Sequence, residues 1–185
     1  WAELPLLAQA ARLDPMGGHL ARAEALLAAW AAANPPFRGP DWACGQEAAL
    51  RVLHLGLALA LLGAERDPPP GARALLALHG RRIAATPAYA LAQDNNHTVS
   101  EAAGLLACGW MLDEPGWTRR GAARLEAALL RLVAPDGAFA QLSTGYHRLL
   151  LDILSIGVWL CRRLQGPPLS GAAMARAAAA THWLY

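Results

Sequence analysis

The chain has 185 residues, of which 55% are hydrophobic and 16% are charged, and its formal net charge is +2. This composition excludes a disordered chain, because so many apolar side chains can bury a sizeable core, and it indicates one globular unit. The basic residues are all arginines, spread along the chain without a basic stripe, so the sequence disfavours nucleic acid as a partner.

Apolar residues recur every three or four positions along nearly the whole chain, mostly separated by Ala, Arg and Glu. This period predicts an all-α fold, and signals for strands are nearly absent. We expect eight helices, at residues 3–13, 18–33, 42–63, 70–85, 96–113, 117–133, 144–165 and 169–183. The breaks between them carry Pro, Gly or Asp, as at 68–70 and 166–168, and candidate caps are Asp41, Thr118 and Ser170.

The helices at 42–63, 96–112 and 144–164 are the most apolar and lack a broad charged face, so we expect them to be buried on most sides. The helices at 72–85 and 119–132 carry charged residues on one side and are expected to face water. This alternation predicts an inner and an outer layer of helices, with the starts of the inner helices at one end. Four side chains then lie near one mouth: Gln46, Asn96, His97 and Tyr146.

Two dense polar clusters, at 93–101 and 141–148, begin inner helices in this otherwise apolar chain. Asn, His and Tyr at helix starts can project into a shared cavity and look like half of an active site. A structural interpretation stays open for each residue. Asn95 and Asn96 can cap the helix. His97 can pair with Glu101 one turn later, and Tyr146 can be a core residue whose hydroxyl reaches the surface.

Six motifs occur in order along the chain: Asn-Pro-Pro at 34–36, Trp42 with Gly-Gln-Glu-Ala-Ala-Leu-Arg at 45–51, Asn-Asn-His at 95–97, Glu-Ala-Ala-Gly at 101–104, Pro-Asp-Gly at 135–137 and Ser-Thr-Gly-Tyr-His-Arg at 143–148. Together they resemble the heparinase II/III-like polysaccharide lyases over most of the chain. The resemblance implies an incomplete α/α toroid of about four antiparallel helical hairpins, formed by residues 1–185 as a single domain.

The family continues into a C-terminal β-sandwich domain, which supplies a second histidine and closes the cleft. Because this chain lacks strand signals and starts at Trp1 without Met, we expect it to be part of a longer protein and to be inactive alone. The β-sandwich domain is then its partner within the same chain.

The resemblance further implies β-elimination on a uronic-acid polysaccharide, in which the C5 proton is removed and the glycosidic oxygen on C4 leaves. Asn96 then neutralises the substrate carboxylate. Tyr146 is the acid and one candidate for the base, the other being the histidine of the absent domain. His97 is the third catalytic residue. Four residues of the motifs are expected to contact substrate or to tune Tyr146: Asn95, Glu101, His147 and Arg148.

Gln46, Glu47 and Arg51 at the start of an inner helix can contact sugar hydroxyls or carboxylates, and arginine suits bidentate carboxylate recognition. A buried Glu47–Arg51 pair is the equally weighted alternative. Trp42 can stack on a sugar ring, although most tryptophans at helical spacing belong to the core. We count these four as substrate-binding candidates.

The sequence predicts neither a metal site nor a cofactor in this chain. Apart from His97 and Glu101, no two His, Cys or carboxylate residues have the spacing that is typical of metal ligands. A structural divalent metal in the absent domain is compatible with the family.

Cys44, Cys108 and Cys161 are expected to be buried thiols. The apolar run at 53–64 is too short for a membrane span. No signal peptide is visible, and the resemblance suggests a periplasmic or extracellular location for an enzyme whose partner is an acidic polysaccharide.

Two other function classes stay open. A glycoside hydrolase on a similar helical ring needs two carboxylates, and four residues are plausible suppliers: Glu47, Asp94, Glu101 and Asp136. A helical-repeat module that binds sugar or protein without chemistry is the second, although no fixed repeat period is evident. Among uronate polymers, a non-sulfated bacterial exopolysaccharide is preferred, because no clearly basic cleft is apparent.

Overall fold

A computed structural model describes residues 1–166 and 168–184, and this part of the chain is all-α. It contains nine α-helices: α1 (Glu3–Leu13), α2 (His19–Ala33), α3 (Gly45–Leu62), α4 (Pro70–Ala85), α5 (Pro87–Gln93), α6 (Asn96–Leu112), α7 (Pro115–Leu132), α8 (Thr144–Leu164) and α9 (Gly171–Leu184). A 3-10 helix, Pro40–Trp42, precedes α3. Within these residues the β structure is limited to one isolated bridge, between Val133 and Phe139.

The eight expected helices all occur, with ends that differ by at most three residues from the expected ones. The prediction missed α5, because seven residues are too few to display a helical period. It also wrongly started the third helix at Trp42. Cys44 is extended, with φ −108° and ψ 127°, and this residue separates the 3-10 helix from α3. Pro167, in the expected break before α9, lies outside the described residues.

Consecutive helices pack as pairs: α1 with α2, α3 with α4, α6 with α7, and α8 with α9. Contacts also join α1 to α3, α3 to α6, and α6 to α8. The expected burial holds for α3 and α6, which have buried residues around most of their surface. For α8 it was wrong. Arg148, Asp152, Ser155 and Arg162 are exposed, and their spacing of three to seven residues marks a polar side that the apolar composition concealed.

The helices α3, α6 and α8 run in the same direction. Near the starts of α3 and α6, Gln46 contacts Ser100. Near the ends of all three, a Cβ placed on Gly56 would lie 3.1 Å from Met111 Cε and 3.3 Å from Leu160 Cδ1. The expectation that these helices start at one end of the molecule therefore agrees with the packing.

Helix α3 is also long and apolar enough to cross a bilayer by length and composition. However, 67% of its 18 residues are buried against other helices. Such burial is what the central helix of a helical domain requires, and one helix of this kind is weak evidence for a membrane span.

An aromatic cluster joins the N-terminus, α2, the segment before α3 and α4. Its ring centroids lie 4.7–5.7 Å apart, and its members are Trp1, Trp30, Phe37, Trp42 and His79. The Arg51 guanidinium carbon lies 5.0 Å from the Trp30 ring and 6.0 Å from the Trp42 ring. Trp42 is buried, and its indole N–H donates to the carbonyl oxygen of Asn34.

Hydrogen bonds fix the protonation of His79 within this cluster. The Nε–H of Arg51 donates to His79 Nε2 at 2.9 Å, and His79 Nδ1 lies 2.7 Å from the carbonyl oxygen of Leu75. His79 is therefore neutral, with its proton on Nδ1. Burial lowers the pKa of His79 from 6.5 to about 4, the bond to Leu75 opposes this shift, and the charge of Arg51 adds to it.

His79 makes folding sensitive to acid. Because its folded pKa lies below its unfolded pKa, its contribution to stability is complete above pH 6.5 and is lost as the pH falls towards 4. We expect the destabilisation caused by His79→Gln to be smaller at pH 5 than at pH 7.5 by about 2 kcal/mol. Urea unfolding of both proteins at the two pH values measures this, and a pH-independent difference would contradict it.

Candidate functional site

The two adjacent asparagines at the start of α6 have different tasks. Asn95 is the N-cap, with an extended backbone, and its side-chain oxygen accepts the backbone N–H of His97 at 2.9 Å. Its side-chain nitrogen lies 3.4 Å from Gln93 Oε1. Asn95 therefore satisfies the helix end, and Asn96 is not needed as a cap.

Asn96 is held by its backbone alone. Its N–H donates to Gln141 Oε1 at 2.9 Å, and its carbonyl oxygen accepts the Ser100 hydroxyl at 2.8 Å. The residue is only 3% exposed, yet its side-chain amide has no hydrogen-bond partner within 1–166 and 168–184. An amide that is positioned but unpaired is available to a ligand.

Gln141 and Ser100 were not predicted as site residues. Gln141 comes from the loop before α8 and joins that loop to the start of α6 across 45 positions of sequence. The signal was its place in the polar cluster at 141–148. Ser100 is fully buried, and Gln46 Nε2 lies 3.5 Å from its hydroxyl oxygen, so Gln46 belongs to the boundary between α3 and α6.

His97 faces the start of α3. Its Nδ1 lies 3.9 Å from the Sγ of Cys44, which is the N-cap residue of α3. Burial lowers the pKa of His97, and the nearby carboxylate of Glu47 partly opposes this effect. The imidazole is therefore neutral at neutral pH and can accept a proton. Glu47 itself is exposed.

Glu101 lies one turn after His97, but the expected pair between them is absent. Both carboxyl oxygens are buried without a hydrogen-bond partner, and the residue is 5% exposed. The carboxyl group packs against Gly45, where an added Cβ would lie 2.5 Å from Oε1. Burial raises the pKa of Glu101 from 4.5 to about 7, against the opposing charges of Arg82 and Arg124.

The buried carboxyl group of Glu101 should cost stability once it ionises. Its folded pKa exceeds its unfolded pKa, so its contribution is complete below pH 4.5 and is lost as the pH rises through 7. We expect Glu101→Gln to be more stabilising, relative to the original protein, at pH 8 than at pH 4.5, by about 3 kcal/mol. Urea unfolding of both proteins checks this, and an equal effect at both pH values would refute it.

Tyr146 belongs to the first turn of α8. The Ser143 side chain caps this helix, with its Oγ 3.5 Å from the backbone nitrogen of Tyr146. Tyr146 is 46% exposed, and its hydroxyl has no hydrogen-bond partner within the part of the chain described. Arg148 is also exposed. Because α6 and α8 run in the same direction, Tyr146 and Asn96 lie at the same end of the domain.

Three predicted substrate-binding residues have side chains that are buried in other contacts. His147 is buried, its Nε2 lies 2.7 Å from the carbonyl oxygen of Ala180, and its ring stacks on Trp183 with centroids 4.8 Å apart. Arg51 and Trp42 belong to the aromatic cluster, and the alternative Glu47–Arg51 ion pair does not form. We therefore leave these three residues out of the candidate site.

Two of the four candidate carboxylates have structural partners. Asp94 forms a bidentate ion pair with Arg131, at 2.7 and 2.8 Å, and this pair lowers the pKa of Asp94. Asp136 Oδ1 accepts the N–H of Ala138 in the loop before α8. Glu47 and Glu101 remain as carboxylates near the candidate site.

The expected shared cavity is not enclosed. Asn96, His97 and Tyr146 line none of the main cavities formed by the described residues. The site is instead an open surface formed by the starts of α3, α6 and α8. No cluster of three or more His, Cys, Asp or Glu residues suited to a metal ion is found in residues 1–166 and 168–184.

Comparison with family models, curated proteins and solved structures finds no match to this chain. The indications of function are therefore the side chains at the open end. These offer an unpaired amide at Asn96, a neutral imidazole at His97 and a phenol at Tyr146, with Gln46 and Glu47 beside them.

Proposed function

We propose that this chain is the helical part of a polysaccharide lyase, which cleaves a uronic-acid polysaccharide by β-elimination. In this proposal the paired helices form an incomplete α/α toroid of four hairpins, and substrate lies across the starts of α3, α6 and α8. The contacts of α3 with α1 and α6, and of α6 with α8, support an inner layer of this kind.

One observation carries the proposal: the side-chain amide of Asn96 is unpaired, while Asn95 does the capping. Removing the C5 proton of a uronate places negative charge on the carboxylate that is conjugated to the new carbanion. A fixed amide donor stabilises this charge more in the transition state than in the ground state. Asn96 is suited to this role, because its backbone N–H and carbonyl oxygen are both hydrogen-bonded, to Gln141 and Ser100 respectively.

The proton transfers fall to Tyr146 and His97. The phenol of Tyr146 is exposed and can protonate the departing glycosidic oxygen. His97 is neutral and can accept a proton, or hold the tyrosine and substrate in position. Tyr146 itself and a histidine from a further domain remain candidates for the base, and the exposed side chains of Glu47 and Arg148 are candidates for contacts with flanking sugars.

A hydrolase is the second candidate, favoured by one specific observation. Glu101 has a pKa of about 7 and is uncharged in acid, whereas Glu47 is exposed. A protonated and an ionised carboxyl group are the two groups that glycoside hydrolysis requires. The burial of Glu101 against Gly45 is the argument against it, because a general acid must reach the glycosidic oxygen.

Two assays on the full-length gene product separate these functions. A lyase produces an ultraviolet-absorbing C4–C5 double bond from uronate polymers such as alginate, hyaluronan or heparan sulfate. We expect Tyr146→Phe to lower this activity by about 10²-fold or more, through loss of the general acid. Reducing ends without a double bond, lost in Glu101→Gln but kept in Tyr146→Phe, would replace the lyase with a hydrolase. Silence in both assays would favour a binding module.

A further inference from the structure

The thiol of Cys44 occupies a place that the proposed lyase reaction does not use. Cys44 is the N-cap residue of α3 and is half-buried. Cys44 and Cys161 were expected to be buried thiols, and this was wrong for both, since each is only partly buried.

A base stands beside this thiol. His97 comes from a different helix, 53 positions away, and its Nδ1 lies 3.9 Å from Sγ. This distance is at the outer limit for a thiol–imidazole hydrogen bond, and such pairs are often looser before a reaction than during it. Because burial keeps His97 neutral, Nδ1 can take the thiol proton. A thiol and a base from two distant parts of the chain therefore lie side by side.

The other two cysteines provide the contrast. Cys108 is fully buried, burial raises the pKa of its thiol, and its Sγ contacts the carbonyl oxygen of Leu76. Cys161 is half-buried, burial raises the pKa of its thiol, and its Sγ contacts the carbonyl oxygen of Gly166. Cys44 is the cysteine for which a contact with an imidazole is seen within residues 1–166 and 168–184.

We propose that Cys44 is a covalent modification site, which low-molecular-weight disulfides convert to a mixed disulfide. His97 takes the thiol proton, and Sγ attacks one sulfur of the reagent. The new S–S bond forms as the S–S bond of the reagent breaks, and the second half of the reagent leaves as a thiol with the proton. No electrons are needed from any other source. The adduct lies beside His97 and Glu47 and obstructs the start of α6.

The test uses 2,2′-dithiodipyridine, an uncharged disulfide whose thiopyridone product absorbs light. The original protein and the variants Cys44→Ser, Cys161→Ser and His97→Gln are treated with excess reagent at pH 7.5, and mass spectrometry locates the adducts. We expect Cys44 to react about tenfold faster than Cys161. The fast phase should disappear in Cys44→Ser, persist in Cys161→Ser and slow about tenfold in His97→Gln.

The cysteines also report whether each variant is folded, because Cys108 reacts only when the core opens. Equal labelling of Cys44 and Cys161 in the original protein would overturn the proposal without any variant. A fast phase unchanged in His97→Gln, with Cys108 still protected, would overturn the role of the imidazole. These readouts do not depend on lyase activity, so the modification site and the proposed function succeed or fail separately.

Discussion

Asn96→Ala is expected to lower kcat on a uronate polysaccharide by about 10²–10³-fold, which is typical for the loss of one fixed donor to a developing charge. Stability should change little, because the Asn96 side chain has no partner within the described residues, and the backbone bonds to Gln141 and Ser100 remain. Double-bond absorbance under saturating substrate measures kcat, and urea unfolding measures stability.

Asn95→Ala is the matched control, since it changes the same side chain one position earlier. It removes the cap on the N–H of His97 and should cost about 1 kcal/mol of stability, with a much smaller effect on kcat. If turnover is lost in Asn95→Ala and kept in Asn96→Ala, Asn96 has no part in the proposed reaction.

Gly104→Ala should be strongly destabilising, by about 3 kcal/mol. Gly104 lies where α6 crosses α3, and a Cβ added there would be 2.6 Å from the Cβ and 2.8 Å from the Cα of Ala49. Because part of this contact is backbone, no change of side-chain rotamer relieves it, and the two helices must separate. Urea or thermal unfolding gives the free-energy difference.

Gly157→Ala tests the same substitution where the helix has room. Gly157 lies in the middle of α8, and an added Cβ would meet no atom within 4 Å. Here alanine should stabilise by up to about 1 kcal/mol through its better helix propensity. Opposite signs for the two substitutions are therefore expected. Similar effects at both positions would mean that α3 and α6 do not approach as closely as described.

The helices were predictable because helical period and helix breakers are local properties of sequence. The position of α5 was not, since its seven residues carry too little pattern. Orientation about a helix was harder still. Arg51 and Trp42 lie near the start of α3, like Gln46, yet they turn into the aromatic cluster. Trp42 is the last residue of the 3-10 helix before α3, and this helix sets the direction of its side chain. The sequence did not predict this short helix.

The candidate site was predictable only as two polar clusters. Sequence could not choose between Asn95 and Asn96 as the cap, because either residue type serves. Nor could it foresee that His97 meets Cys44 instead of Glu101, since that contact depends on how α3 and α6 pack. The spacing of one helical turn made a pair between His97 and Glu101 plausible. In the structure His97 instead contacts Cys44, which is distant in sequence.

Gln141 links the two halves of the open end, because its side chain accepts the N–H of Asn96 while its backbone leads into α8. This one hydrogen bond therefore helps to set the distance between Asn96 and Tyr146, although Gln141 itself needs no role in the proposed reaction. In the proposed lyase, a change in the loop at 133–143 would shift this separation and with it the size of sugar that fits, while Asn96 and Tyr146 stay the same.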